Sequence, residues 1–339
     1  MKTKPMTKFA ILALSVVLVA CAGGGSEEAG CPAIDGREIN VVATTPMIGE
    51  FVSQVGGEKI NLTVLMPPEA NPHTYEPAPQ DAGTIAEADL VFYTGLLYEP
   101  AALVKLLENS ACSTDILSEV GESVFPIEFK EGGHDDHDDE EGHDDEEDHD
   151  DEEGHDDHEG HNHGAYDPHF WFDPSRVAYA AEYIESRLIQ FDPENESSYK
   201  SSADSFVSEL NDLTKQVSEL ISTVPSQNRK LITTHESLGY LEAKFGLEVL
   251  STIIPSLNSA NEISPSDLAG VIDVIEDNNV KVIFIESEAP SVYSETIVAE
   301  TGIKSVTGLY VETLKPGQSY SEFLISNVTL ITENLQDTD

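Results

Sequence analysis

The chain has 339 residues, of which 39% are hydrophobic, and its formal net charge at pH 7 is −47. This length allows two ordinary domains with a substantial core. So large a negative charge argues against a nucleic-acid partner, because the phosphates would be repelled. An acidic surface attracts cations, but a salt-adapted protein has the same bias, so charge alone does not predict a metal site.

The first 20 residues are typical of a secretory signal peptide. Lys2, Lys4 and Lys8 precede a nearly unbroken apolar run at 9–20, which is too short to span a bilayer comfortably. Cys21 follows in the position of the lipidated cysteine of a bacterial lipobox, and glycines come soon after it. We therefore predict a lipid on Cys21 and a flexible tether at 21–36. The alternatives are an ordinary cleaved signal and an uncleaved anchor.

Two further cysteines, Cys31 and Cys112, are left if Cys21 carries lipid. An exported protein folds in an oxidising environment, so this pair predicts one disulfide, which would pin the tether to the first domain. Two free thiols are the alternative.

Strand and helix signals alternate in the first block of the chain. The predicted strands lie at 39–45, 60–66 and 90–94, and the predicted helices at 46–55, 80–88 and 99–108. Continuously apolar strands with helices between them predict a parallel sheet. This block defines a first α/β lobe at 37–193.

A low-complexity segment at 131–164 interrupts that lobe. It contains no apolar side chain and cannot contribute to a core, so we predict that it is disordered. Between 131 and 163 it carries 19 acidic residues and no Lys or Arg. Its histidines are His134, His137, His143, His149, His155, His158, His161 and His163. Imidazoles and carboxylates at this density predict a weak, multivalent collector of divalent metal ions. A solvated linker is the alternative.

One long amphipathic helix is predicted at 194–224. Phe206, Leu210, Leu213 and Val217 recur at spacings of three and four, and no proline or glycine interrupts the run. A helix of this length spans ~45 Å and can cross two domains.

The second block repeats the pattern of the first and defines a lobe at 225–339. The predicted strands lie at 230–234, 247–254, 280–286 and 303–306, with helices at 237–245, at 264–277, between the last two strands, and from 320 onward. The sequence thus predicts two α/β lobes, each a mostly parallel sheet flanked by helices.

Only three histidines lie outside the acidic segment, and each follows a strand or a turn. His73 lies in a proline-rich loop, His169 lies among aromatic residues that include the only tryptophan, and His235 follows a strand and begins the next helix. Any one of them alone is more typical of a surface or hydrogen-bonded core histidine. Together they predict a site for Zn²⁺, Mn²⁺, Ni²⁺ or Cu²⁺, because ligands collect at the carboxyl ends of parallel strands.

The fourth ligand is open at this point. Zinc normally takes four ligands. Glu312, which follows the last strand signal, Glu236 and Glu286 are the candidates.

Four segments resemble the solute-binding lipoproteins of bacterial ABC importers for zinc and manganese. They are NPHTYEP (71–77), DPHFWFDP (167–174), THESLGYLEAKFGL (234–247) and GLYVETL with YSEFLISN (308–314 and 320–327). The resemblance extends from about residue 37 to the C-terminus. It implies that one long rigid helix joins the two lobes and that the metal lies in the cleft between them.

The resemblance also implies a ligand set and a partner. His73, His169 and His235 match the family's metal ligands, and Glu312 stands where the family often has Asp, so Glu312 or a water is the expected fourth ligand. Manganese members usually have a carboxylate at position 235, so His235 favours Zn²⁺ over Mn²⁺. Zinc members commonly carry a His- and acid-rich insertion like segment 131–164. The expected protein is a monomeric, lipid-anchored, extracytoplasmic donor to an ABC permease.

Three alternatives remain. The chain could be a manganese-binding member of the same family. It could instead be a zinc hydrolase with Glu236 as the general base, although no HExxH motif or nucleophile elbow is present. The third alternative is an adhesin or a surface protein that buffers metal ions.

Overall fold

The structure is a computed structural model that describes residues 31, 34, 36–129, 166–259, 261, 263–287 and 292–336. The predicted signal peptide at 1–20, Cys21 and almost all of the predicted tether lie outside the described residues. The acidic segment at 131–164 and its eight histidines lie outside them too. Within the described ranges, no helix is both long and apolar enough to cross a membrane.

The first lobe is built on strands β1 (Ile39–Ala43), β2 (Ile60–Val64), β3 (Leu90–Tyr93) and β4 (Leu117–Glu119). They form a parallel sheet in the order β2-β1-β3-β4, in which Val41 is in register with Leu62 and Leu90. The connecting helices are α1 (Pro46–Gly56), α2 (Pro79–Ala86) and α3 (Ala101–Ser110). Thr45 caps α1 by accepting the N–H of Ile48, which turns the chain directly from β1 into a helix.

Two packed helices follow, α4 (Pro174–Phe191) and α5 (Glu196–Ser222). The predicted linking helix is confirmed in α5, which is about 40 Å long and buries Phe206, Leu210, Leu213 and Val217. The prediction placed its start two residues early, because residues Pro193–Asn195 form a separate 3₁₀ turn. Helix α4 was not predicted from the sequence, although Asp173 caps it before Pro174 and its apolar residues recur at helical spacing.

The second lobe is built on strands β5 (Lys230–His235), β6 (Glu248–Ile254), β7 (Val282–Glu286) and β8 (Lys304–Leu309). They form a parallel sheet in the order β6-β5-β7-β8. The helices are α6 (Gly239–Phe245), α7 (Pro265–Asn278), α8 (Val292–Thr301) and α9 (Tyr320–Gln336). The sequence predicted that His235 follows a strand and begins the next helix. In the structure His235 is instead the last residue of β5, and α6 starts only at Gly239.

The two predicted α/β lobes are confirmed, and they share one hydrophobic core. α5 packs against both α1 of the first lobe and α9 of the second. The ring of Phe51 in α1 contacts Phe170, Phe206 of α5 and Tyr320 of α9, with centroids 5.3–6.3 Å apart. This buried aromatic cluster packs α1 of the first lobe, α5 and α9 of the second lobe against one another.

Two smaller features complete the first lobe. Cys31 and Cys112 form a disulfide that ties the start of the described chain to the segment after α3. The sequence pattern did not predict β4, because a three-residue strand with polar Ser118 and Glu119 carries too weak a signal.

Candidate metal centre

Four side chains from separate parts of the chain converge between the two lobes. One ligand atom from each of His73, His169, His235 and Glu312 lies within 4.8 Å of the corresponding atoms of the other three. The side chains of His169, His235 and Glu312 are fully buried, and that of His73 is 3% exposed. Three imidazoles and a carboxylate, removed from water and aimed at one point, form a donor set suited to a divalent transition metal.

His73 lies on a loop of the first lobe, in a 3₁₀ turn at Pro72–Thr74 that follows β2. Asn71 fixes this turn, because its Oδ1 accepts the N–H of His73 at 2.9 Å. Its Nδ2 donates to Oγ of Ser259, in the loop after β6 of the second lobe, at 3.0 Å. The histidine loop is therefore bonded across the cleft at the point where His73 enters the site.

His169 precedes the aromatic 3₁₀ turn Phe170–Phe172 that leads into α4. Oδ1 of Asp167 accepts both the N–H and the ring Nδ1–H of His169, each at 2.8 Å. A Cβ on Gly239 would lie 2.7 Å from the Asp167 carboxylate, so glycine at the start of α6 makes room for it. With Nδ1 donating to Asp167, the ring presents Nε2 to the cleft.

His235 ends β5, and Glu286 ends the neighbouring strand β7. The Nδ1–H of His235 donates to Oε2 of Glu286 in a short contact. Oε1 of Glu286 accepts from Oγ1 of Thr233 at 2.8 Å and from the N–H of His235 at 3.2 Å. The carboxylate therefore fixes both the tautomer and the orientation of this ring, as partners of metal-bound histidines do.

Glu312 follows β8 and faces all three histidines. Its Oε1 lies 2.9 Å from Nε2 of His73 and 2.9 Å from Nε2 of His235, while Oε2 lies 3.5 Å from Nε2 of His169. The Nε2 atoms of His169 and His235 are buried, and neither forms a well-directed hydrogen bond with any described residue. Buried ring nitrogens whose contacts with a carboxylate lack good hydrogen-bond geometry fit the coordination of a cation.

The charges of the cluster perturb each other strongly. Burial lowers the pKa of His169, but its contacts with Asp167 and Glu312 outweigh burial and raise the pKa to about 9. Burial opposes a similar rise at His235, whose pKa the charges of Glu286 and Glu312 raise well above its ordinary value. Burial raises the pKa of Glu312, yet the charges of His73 and His235 hold that pKa well below its ordinary value. Without a metal ion, the raised pKa values of His169 and His235 favour protons on these two rings, which balance the buried carboxylate of Glu312.

The other two candidates for the fourth ligand lie outside this cluster. Glu236 accepts a hydrogen bond from Oγ1 of Thr252 at 2.9 Å, and Glu286 orients His235. Two further contributors to the site were not predicted from the sequence. They are Asp167 and Tyr98, and the Tyr98 hydroxyl lies 2.8 Å from Oε2 of Glu312. Asp167 was visible as an acid two residues before His169. Tyr98 gave no signal, because 214 positions separate it from Glu312.

The chain is similar to known metal-binding proteins over nearly its whole length. It is 27% identical to the manganese ABC transporter substrate-binding lipoprotein PsaA of Streptococcus anginosus, over 98% of this chain and 99% of that protein. It is 28% identical to the high-affinity zinc uptake system protein ZnuA of Bacillus subtilis, over 96% of both. The fold matches the periplasmic zinc binding protein TroA from Treponema pallidum with a TM-score of 0.72 at 21% identity, over 88% of this chain and 99% of that one.

The family comparison covers both lobes and the helices between them. Residues 41–334 match the family described as ZnuA, the periplasmic zinc-uptake complex component A. This range contains all four residues of the cluster. The chain therefore belongs to the ZnuA family of metal-binding, solute-binding proteins of ABC importers.

Proposed function

We propose that this protein captures Zn²⁺ outside the cytoplasm through His73, His169, His235 and Glu312 and delivers it to an ABC permease. The convergence of these four ligand atoms within 4.8 Å, in a buried site between two lobes, carries the proposal. Three neutral imidazoles and one carboxylate oxygen supply the four donors that zinc prefers. Because Nδ1 of His169 and of His235 is bonded to a carboxylate, both rings are oriented before the ion arrives.

Zinc is the proposed cargo rather than manganese. Relatives named for each metal are about equally similar to this chain, so likeness alone does not choose between them. The donor set favours zinc, because Mn²⁺ prefers a larger number of oxygen ligands. His235 supports the same choice, since a nitrogen donor stands where manganese members usually have a carboxylate. Manganese binding in the same site is the second candidate.

Delivery needs a protein that is held at the membrane and can bind and release its ion. We place the lipid on Cys21 and treat 21–36 as the tether, with lobes at 37–193 and 225–339 on either side of a linking segment at 194–224. The family consists of binding components rather than enzymes, so a hydrolytic role for Glu236 is not proposed. The active unit is proposed to be a monomer, since one chain supplies all four ligands.

The acidic segment at 131–164 is proposed as an auxiliary collector. Its eight histidines and dense carboxylates would bind divalent ions weakly and raise their concentration near the cleft, because the segment ends five residues before His169. A metal-buffering role at the cell surface is compatible with the same chemistry and does not require a second tight site.

Metal titration of the chain from residue 22 onward tests these assignments. We expect one tight Zn²⁺ per chain, weakened more than about 100-fold by alanine at His73, His169 or His235. His155→Ala, in the acidic segment, is the matched control and should leave the tight site unchanged. Deleting 131–163 should remove only weaker sites. Tight binding that survives all three site variants would overturn the proposal.

A further inference from the structure

The two carboxylate oxygens of Glu312 have different surroundings. Oε1 lies 2.9 Å from Nε2 of both His73 and His235. Oε2 lies 3.5 Å from Nε2 of His169 and 2.8 Å from the Tyr98 hydroxyl, which is also 3.1 Å from the backbone oxygen of Glu312. The hydroxyl of Tyr98 therefore holds the carboxylate against its own backbone and restricts its rotation.

The ring of Tyr98 is locked into the site. It is 1% exposed and makes edge-on contacts with His73, His169 and Trp171 at centroid distances of 5.0, 5.9 and 5.3 Å. Trp171 in turn donates its indole N–H to the backbone oxygen of Val311, the residue before Glu312. Trp171 thus contacts both the ring of Tyr98 and the backbone beside Glu312, and this packing restricts movement of Tyr98 relative to Glu312.

The turn that carries Tyr98 is strained and specifically held. Gly95, Leu96 and Leu97 all have positive φ, a backbone conformation that is unfavourable for leucine. The carboxylate of Glu99 accepts the N–H of Gly95 at 2.9 Å, and that of Glu119 accepts the N–H of Leu96 at 2.8 Å. A turn maintained against this cost, directly before Tyr98, indicates that the position of the phenol matters.

We propose that Tyr98 is a specificity-determining residue. Its hydroxyl donates a hydrogen bond to Oε2 of Glu312, so that Oε1 is the one carboxylate oxygen presented to the cargo ion. One carboxylate oxygen and three imidazoles give four donors, which suits Zn²⁺. A carboxylate with both oxygens free can add a fifth donor, which Mn²⁺ accepts more readily than zinc does. Tyr98 thereby narrows a donor set that both metals can use. This inference rests on the proposed metal-binding function of the four-residue cluster.

Tyr98→Phe tests the inference, because it removes only the hydroxyl. Zn²⁺ and Mn²⁺ are titrated in competition into the chain from residue 22 onward. The ratio of the zinc to the manganese affinity should fall about tenfold, the lower end of the effect of residues that orient a ligand. Tyr199→Phe is the matched control, since its buried hydroxyl also bonds a carboxylate, Oδ2 of Asp192 at 2.6 Å, far along the chain in α5.

Cobalt provides a readout of coordination that a loss of stability would not change. Four-coordinate Co²⁺ absorbs visible light much more strongly than Co²⁺ with five or six ligands. We expect the cobalt-loaded wild type and Tyr199→Phe to absorb strongly and Tyr98→Phe to absorb weakly. An equal loss of both metals in Tyr98→Phe, with an unchanged cobalt spectrum, would overturn the inference.

Different results would contradict the proposed function and the proposed role of Tyr98. A wild-type chain without a tight site would contradict the proposed function itself. A wild type that binds zinc tightly, together with a Tyr98→Phe variant of unchanged metal preference, would contradict only the role of Tyr98.

Discussion

The two lobes have the same strand order, and each buries a glutamate close to the end of its third strand. In the second lobe this residue is Glu286, which bonds the imidazole of His235 at the end of the first strand. In the first lobe it is Glu99, which accepts from Oγ1 of Thr44 at 2.7 Å and from the backbone N–H groups of Thr94 and Gly95. One carboxylate orients a ligand, and the other holds a turn.

The difference shows that topology provides a location and single residues provide the chemistry. The carboxyl ends of the inner strands β1 and β5 face the cleft, where ligands of parallel sheets usually bind. Where the second lobe has His235, the first lobe has Thr44 and Thr45 after β1. The first lobe therefore contributes only from segments outside its strands, with His73 after β2, Tyr98 after β3 and His169 before α4. The second lobe contributes His235 from the end of a strand and Glu312 from the loop after β8.

The largest expected effect concerns the stabilisation of the protein by metal. At a free Zn²⁺ concentration about 1,000 times Kd, binding should stabilise the fold by about 4 kcal/mol. His235→Ala should abolish this increment, because it removes the proposed ligand that lies on a strand and is oriented by Glu286. Thr44→Ala, the counterpart at the end of β1, should lower the basal stability but keep the zinc-dependent increment. Thermal unfolding with zinc and with a chelator measures both.

The next largest effect distinguishes the two buried glutamates. Glu286→Gln should weaken zinc binding roughly 10- to 100-fold, because the imidazole of His235 loses its charged partner. Glu99→Gln should instead lower the free energy of unfolding by about 1–3 kcal/mol, since an amide N–H₂ would face backbone donors. Zinc titration and urea unfolding of both variants separate these outcomes. Equal losses of zinc affinity would show that the lobes are not functionally distinct.

Proton release on metal binding gives a third test. The pKa of His169 is raised from its ordinary 6.5 to about 9, so this ring carries a proton at neutral pH when no metal is bound. Zinc must displace protons, and its affinity should rise as pH increases from 6.5 to 9, about tenfold per unit for each proton displaced. Calorimetry in buffers of different ionisation enthalpy counts these protons. Heats independent of the buffer would contradict the prediction.

The same pKa shifts predict how the free energy of unfolding of the metal-free protein changes with pH. The raised pKa of His169 contributes stability that is complete below pH 6.5 and is lost as pH rises through about 9. The lowered pKa of Glu312 contributes stability above its ordinary pKa of 4.5, which is lost as pH falls below that value. The pKa of Glu99 is shifted upward by burial, against the hydrogen bonds it accepts, so its ionisation opposes folding as pH rises.

The sequence predicted the lobes and the three histidines because both leave local signals. Apolar strands that alternate with helices predict a parallel sheet, and His73 and His235 each follow such a strand. The residues alone did not choose between Glu312 and Glu236; the family resemblance favoured Glu312 or a water, and the structure brings Glu312 to the three histidines. Glu236 is the direct neighbour of His235, but its side chain bonds Thr252, whereas Glu312 reaches the site from 77 positions away.

The residues that orient the ligands were harder to predict. Tyr98 and Glu99 follow β3 after a turn in which Leu96 and Leu97 have positive φ. Leucine rarely adopts this conformation, so the sequence did not predict the turn. α4 was predictable in principle, since Asp173 before Pro174 is a helix start signal followed by Val177, Ala180 and Ala181 at helical spacing. Partners across the cleft, such as Asn71 and Ser259, have no local signature.

The smallest expected effect concerns this last pair, the bond that ties the His73 loop of the first lobe to the second. Ser259→Ala removes the acceptor for Nδ2 of Asn71 and leaves the bond from the N–H of His73 to Asn71 intact. A hydrogen bond of this kind contributes about 1 kcal/mol, so zinc should dissociate about fivefold faster, with little change in association. Ser186→Ala, on α4, is the control. Stopped-flow transfer of zinc to a chelator measures the rate, and an unchanged rate would show that the bond from Asn71 to Ser259 does not limit zinc release.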